Sequence, residues 1–261
     1  FGVKEPMYRT GFDRNLWLWE QYSPEATYMM SADVARGDGA DFSVFHIVKL
    51  ETMEVVGEYR GKPNLEEFAS ILDSTGREFG NCLLVVENNS LGISILEKLQ
   101  DRSYPNLYFS IKGTHEYIDQ LRAESINNSV PGFTTSSKTR PLIVAKMEEF
   151  IRNKLITIYS SRLVDEFKTF IWNNNKAQAM RSYHDDLVMA LAIACWVRDT
   201  ALEVNKKDLE YKRAMADSMR LSTRQIKTTI PGMEGHRQGV WNDNAKKDMQ
   251  QQKDFIWLIK G

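Results

Sequence analysis

The run Cys82-Leu83-Leu84-Val85-Val86-Glu87 constrains the fold of this chain more than any other feature: five apolar residues in unbroken succession, closed by a carboxylate and followed by Asn88-Asn89-Ser90. A strand with one wet face alternates apolar and polar residues. An unbroken run of this length between turn formers therefore predicts a strand buried on both faces, and covering both faces requires helices packed on a central sheet. The flanking sequence supplies them. Leu65, Phe68, Ala69, Leu72 and Phe79 recur at helical spacing behind Pro63-Asn64 and stop at Gly80, and a second helical stretch runs from about Gly92 to Arg102.

Three short segments rich in β-branched and aromatic residues precede this unit: Tyr28–Asp33, which leads into the Gly-rich turn Arg36-Gly37-Asp38-Gly39, then Phe42–Lys49 and Val55–Tyr59. Bounded by turn formers, they predict an antiparallel meander. With a further strand at Leu107–Ile111 the order becomes βββαβαβ, that of an α/β, RNase H-like (RuvC-like) mixed β-sheet flanked by α-helices. Residues 1–27, with Leu16-Trp17-Leu18-Trp19, read as a lead-in packed on the domain edge, and residues 112–138 as a long loop with room for a hairpin. Thr139 is expected to cap a helix with Pro141 in its first turn, running to about Arg152. An extended piece at Leu155–Tyr159, a helix from near Ser161 and a last helix from about Asp185 to Asp199 complete the core. The organisation expected is one domain over residues 1–200 and a charged C-terminal tail, partly helical or flexible, over residues 201–261.

Composition narrows function less than fold. The formal net charge of −1 conceals an asymmetry, since residues 200–261 hold 12 Lys/Arg against 8 Asp/Glu while residues 1–199 hold 22 against 27. Nucleic-acid binders are often basic overall, so any contact with DNA has to come from local basic patches or from cations that neutralise acidic side chains. The 2 cysteines, Cys82 and Cys195, show neither metal-ligand spacing nor a disulfide framework, which fits a reducing, intracellular compartment. The longest apolar stretch, near Leu187 to Val197, falls well short of the roughly 20 residues of a membrane span, and no signal-peptide pattern opens the chain. No membrane partner is expected. A G-x-x-x-x-G-K-[ST] run is absent, which excludes a P-loop ATPase within this sequence. Phe1 stands where an initiator Met would, and predicts a longer parent protein with its missing part upstream.

Four carboxylates fall where elements begin or end: Asp33 closes the first expected strand, Glu87 the fourth, and Asp185-Asp186 opens the last helix. In a mixed sheet of this order the first and fourth strands lie side by side and parallel, so Asp33 and Glu87 share one rim. Clustered carboxylates repel unless hard divalent cations lie between them, and Mg²⁺ or Mn²⁺ bind in this way together with phosphate oxygens. Two such ions can cleave a phosphodiester by in-line displacement. Each acid also has an ordinary explanation. Asp33 suits a turn, and Asp185-Asp186 suits a helix N-cap followed by a first-turn acid. Because neighbours on a helix point about 100° apart, only one of that pair can aim straight at a metal.

Three motifs carry a family resemblance. They are Ser31-Ala32-Asp33-Val34-Ala35-Arg36-Gly37-Asp38-Gly39-Ala40-Asp41-Phe42-Ser43, Val85-Val86-Glu87-Asn88-Asn89-Ser90-Leu91-Gly92, and Tyr183-His184-Asp185-Asp186-Leu187-Val188-Met189-Ala190. Together they resemble the nuclease motifs of the large terminase subunits, the DNA-packaging proteins of T-even-type tailed phages, over about residues 28–199. The resemblance implies an RNase H-like endonuclease that cuts concatemeric double-stranded viral DNA in the host cell cytoplasm during packaging, with two Mg²⁺ or Mn²⁺ ions. It implies that Asp33, Glu87 and one or both of Asp185 and Asp186 are catalytic metal ligands. The partners it implies are an upstream ATPase motor domain of the same protein, the portal and the small terminase subunit. Asp41, eight residues after Asp33, is expected to serve as an auxiliary ligand or else as a solvated turn residue. Arg36, Lys112, Lys138 and Arg140 are candidate contacts to the DNA backbone, and His184 either contacts phosphate, orients a ligand or caps the last helix.

Other readings stay open on sequence. A RuvC-type junction resolvase shares fold and metals and differs in substrate and obligate dimerisation. A docking module without catalysis would make the acids structural. An actin-like ATPase also follows a strand-end Asp with a Gly-rich turn, but needs a second Gly-rich phosphate hairpin and usually two copies of the core, and only one copy is present.

Overall fold

The computed structural model describes residues 2–11, 13–35, 41–112, 117–118, 123, 128–173 and 176–199. Six strands pair into one mixed sheet: β1 (Tyr8–Thr10), β2 (Leu16–Leu18), β3 (Tyr28–Asp33), β4 (Ser43–Lys49), β5 (Glu54–Gly61) and β6 (Leu83–Val86), in the spatial order β1-β2-β5-β4-β3-β6. The apolar run is β6, parallel to β3, and every other neighbouring pair is antiparallel. Beyond β6, Leu84 bridges Leu107 and Glu87 bridges Phe133, both in parallel sense.

Both faces of the sheet are covered, as the unbroken apolar run requires. Met30, Ala32, Phe45, Ile47, Leu84 and Val86 form one core with α1 (Leu65–Glu78) and α2 (Ser90–Asp101). Their chain neighbours Met29, Val44, Val48, Leu83 and Val85 point the other way, into a core with α3 (Thr139–Arg152), α4 (Ser161–Thr169) and α5 (residues 186–199). Over residues 187–197 α5 is apolar on all sides, and residues 187–195 are at most 2% exposed. Among the described residues no helix is long and apolar enough to cross a membrane.

Local signals hold where they are chemical. Asn64 and Glu67 form a reciprocal capping box at the start of α1. Elsewhere the structure corrects the reading. The lead-in supplies β1 and β2, which extend the sheet beyond β5 and are too short, at 3 residues each, to show periodicity. The expected strand Leu107–Ile111 divides: Leu107 lies beside β6, while β7 (Phe109–Ile111) pairs with β8 (Tyr117–Ile118) and β9 (Ser129–Pro131), which come from the expected loop. Gly132, at φ +78°, lets the chain turn back against β6, where a Cβ would lie 2.5 Å from the Val86 carbonyl oxygen. Thr139 opens α3 rather than capping it; the Ser136 hydroxyl accepts its N–H at 3.1 Å. A hairpin of β10 (Phe170–Asn173) and β11 (Lys176–Ala179) precedes α5 without a sequence signal. The tail expected over 201–261 lies outside the described residues.

Candidate metal centre

Register brings the first two acids together. Ala32 on β3 pairs with Val86 on the parallel β6, so the next residues, Asp33 and Glu87, leave the same rim side by side. The Glu87 N–H donates to the Ala32 carbonyl at 2.9 Å, which keeps the strands paired up to the acids. The Asn89 amide donates to the Glu87 carboxylate at 3.1 Å, while its oxygen caps α2 by accepting the Gly92 N–H at 2.8 Å. One asparagine therefore ties the carboxylate to the helix start. The fit is close: a Cβ on Gly92 would stand 1.7 Å from the Glu87 carbonyl oxygen.

The third acid depends on where α5 is pinned. The Ser31 hydroxyl donates to the Ala190 carbonyl at 2.6 Å, and His46 Nε2 donates to the Leu187 carbonyl at 2.9 Å, fastening the helix to β3 and β4. Its first free N–H groups, on Leu187 and Val188, donate to Glu166 on α4 at 2.9 and 3.3 Å. Glu166, with a side chain 6% exposed, thus caps α5, the role the sequence assigns to one of the adjacent aspartates. With α5 so placed the two aspartates part. Asp186 accepts the Phe42 N–H at 3.0 Å, and its charge bears on Asp33. Asp185 instead meets the Arg140 guanidinium at 2.5 Å, and Arg140 Nε donates to the Ala177 carbonyl on β11 at 3.0 Å.

Asp41 and His184 join Asp186 on its outer side. His184 Nδ1 lies 3.6 Å from an Asp41 oxygen and 3.8 Å from an Asp186 oxygen, and the three potential ligand atoms lie within 4.8 Å of one another. The His184 ring meets Phe42 edge to face with centroids 5.2 Å apart. Lys112, just after β7, and Lys138, just before α3, are exposed. Arg36 falls outside the described residues. Sequence reading missed Glu166, because an acid inside an amphipathic helix looks like any solvated position. It also missed Arg60, whose guanidinium stands 4.0 Å from the Phe42 ring centroid and 3.7 Å from Glu166.

The electrostatics are those of crowded acids. Burial, then the charge of Glu87 and a hydrogen bond shared with it, then Asp186, hold the Asp33 carboxyl well above the usual carboxylate range. Burial also raises Asp186, against the lowering effect of the Phe42 N–H. Burial raises Glu166 to about 8. The donor set at this rim, hard carboxylate oxygens crowded together, fits Mg²⁺ or Mn²⁺.

No family model matches this sequence. Among solved structures, the large terminase nuclease of thermophilic phage G20c with bound magnesium is similar at a TM-score of 0.58 and 19% identity, covering 74% of this chain and 92% of that one. The same nuclease with bound cobalt gives 0.57 and 19%, over 74% and 92%. The Thermus phage P74-26 large terminase nuclease domain gives 0.56 and 19%, over 74% and 89%. At this level of identity the likeness establishes the fold: a mixed sheet flanked by helices in the RNase H-like arrangement that the order of elements predicts.

Proposed function

We propose that this chain is a divalent-metal-dependent DNA endonuclease, the nuclease domain of a large terminase of the T-even type, cutting concatemeric double-stranded DNA during genome packaging in the host cytoplasm. The observation that carries the reading is the convergence of Asp33 and Glu87, from β3 and β6, at one rim of the sheet, with Asp186 at the start of α5 close enough for its charge to bear on Asp33. The motif resemblance and the like fold of the phage G20c terminase nuclease, solved with bound magnesium and with bound cobalt, support it.

In this reading Asp33, Glu87 and Asp186 hold two Mg²⁺ or Mn²⁺ ions, with Asp41 as an auxiliary ligand. When bound, such ions neutralise the scissile phosphate, acidify the attacking water and stabilise the leaving oxygen. The chain's own residues orient this chemistry. Asn89 fixes Glu87, and the Phe42 N–H fixes Asp186. Asp185 holds the Arg140 guanidinium, which can meet the DNA backbone; Lys112, Lys138 and Arg36 are the further candidates for that contact. Contacts to phosphate position DNA without reading bases, so cleavage has little sequence preference. The upstream ATPase motor domain of the same protein, the portal and the small terminase subunit are the partners this reading requires.

Plasmid digestion with Mg²⁺, with Mn²⁺ and with EDTA tests it. Nicking and linearisation with either ion, none in EDTA, and none for Asp33→Asn or Glu87→Gln are expected. Undiminished cutting in EDTA removes the metal mechanism, and inertness with every ion and DNA form favours a non-catalytic module.

A further inference from the structure

We propose that His184 is itself a metal ligand, forming with Asp41 and Asp186 a mixed imidazole and carboxylate site that favours Mn²⁺, Co²⁺ or Zn²⁺ over Mg²⁺. The inference rests on the metal-dependent reading above and deepens it, because it makes the two cation positions chemically unequal. Asp186 stands with His184 and Asp41, their potential ligand atoms within 4.8 Å of one another. Asp33 and Glu87, at the ends of β3 and β6, offer oxygen alone, whereas His184 beside the exposed Asp41 adds a nitrogen.

The spacing argues for an ion between these groups. At 3.6 and 3.8 Å the imidazole nitrogen is too far from either carboxylate oxygen for a hydrogen bond. An imidazole nitrogen and a carboxylate oxygen bound to one ion at about 2.1 Å each stand roughly 3.0–3.5 Å apart at octahedral to tetrahedral angles, so a contraction of a few tenths of an ångström closes the site. Two of the three groups are already oriented. The Phe42 N–H fixes the Asp186 carboxylate, and the Phe42 ring meets His184 edge to face. Asp41 is the adjustable member, with a side chain 75% exposed. Imidazole suits Co²⁺ and Zn²⁺, and Mn²⁺ accepts it more readily than Mg²⁺, which prefers oxygen and retains its water. Nitrogen at one position and oxygen at the other therefore separates the ions by type.

The test is nitrogen coupling to bound Mn²⁺, read by pulsed electron paramagnetic resonance on the 261-residue chain, with Mn²⁺, Co²⁺ and Mg²⁺ affinities from calorimetry. The unchanged chain should show ¹⁴N modulation. His184→Gln should remove it and weaken Mn²⁺ and Co²⁺ at this site by about 10-fold or more, while leaving Mg²⁺ affinity within about 3-fold. Asp41→Asn, at an exposed position that carries no packing, should weaken the same ions while circular dichroism stays unchanged. The chain has 4 His, so modulation that survives His184→Gln comes from another residue and overturns the proposal. Mn²⁺ bound without nitrogen coupling overturns it too, and leaves the nuclease reading standing. Absence of any Mn²⁺ binding at millimolar concentration removes both.

Discussion

Gly92→Ala tests how tightly the second acid is positioned. Alanine is favoured over glycine inside a helix by about 1 kcal/mol, and the Gly92 backbone, which is not at positive φ, does not oppose the change. The obstacle is the Glu87 carbonyl oxygen, 1.7 Å from the new Cβ where real contacts stay above 3.0 Å, so the first turn of α2 and the Glu87–Asn89 turn must separate by at least 1.3 Å. Such overpacking costs about 1–3 kcal/mol. Set against the gain in helix propensity, the loss is about 0–2 kcal/mol, and the variant stays folded. The movement falls on the segment through which Asn89 holds Glu87, and a displacement near 1 Å at a reacting group costs about 10²-fold in rate. Single-turnover plasmid nicking, urea melts and Mn²⁺ titration read the effect, with the rate down about 100-fold, metal affinity weakened and stability nearly kept. A wild-type rate with unchanged stability would show that Glu87 does not depend on this contact.

Glu166 should report on pH: its folded-state value of about 8 lies above the ordinary 4.5, so its contribution to stability is complete below the ordinary value and is lost as pH rises through 8. Glu166→Gln should remove that loss, which amounts to roughly 1.4 kcal/mol per pH unit across this window; urea melts in EDTA with the same pH slope for both proteins would refute it. The Asp33 carboxyl is likewise raised, so Asp33→Asn should increase the metal-free melting temperature at neutral pH while abolishing cleavage, and a lowered melting temperature would contradict the crowding of the acids. A chain ending at Thr200 should cut plasmid at the full rate, because the proposed ligands all fall between residues 33 and 186; total loss of cutting would place residues 201–261 in the catalytic fold.

The fold was legible where one local rule decides. The run of Cys82 to Val86 read as a strand covered on both faces, and Pro63-Asn64 marked a helix start, which Asn64 and Glu67 complete as a capping box. β1 and β2 were not legible, since strands of 3 residues have no period and gain their place by pairing, β2 with β5 and β1 with β2. Nor was the hairpin of β10 and β11, whose four-residue strands, three residues of one exposed, are too short to show a buried period. Among the described residues β8 and β9 are short strands paired to β7, and β7 leaves the main sheet after Leu107, so nothing in their own composition announces them.

At the site the difference is one of kind. Asp33 and Glu87 could be brought together on paper because a parallel pair with Ala32 opposite Val86 leaves their successors no other place. Choosing between Asp185 and Asp186 required knowing the rotation of α5, and that rotation is set by groups distant in sequence: Ser31 and His46 accept no role from their neighbours, yet hold the Ala190 and Leu187 carbonyls from 159 and 141 residues away. Glu166 completes the constraint by capping the helix, which frees both aspartates from that task. One then pairs with Arg140, and the other turns to Asp33. The identity of the third ligand is thus a property of a buried polar network beneath the helix rather than of the motif that contains it, and changing that network should shift Asp186 without altering any acid of the site.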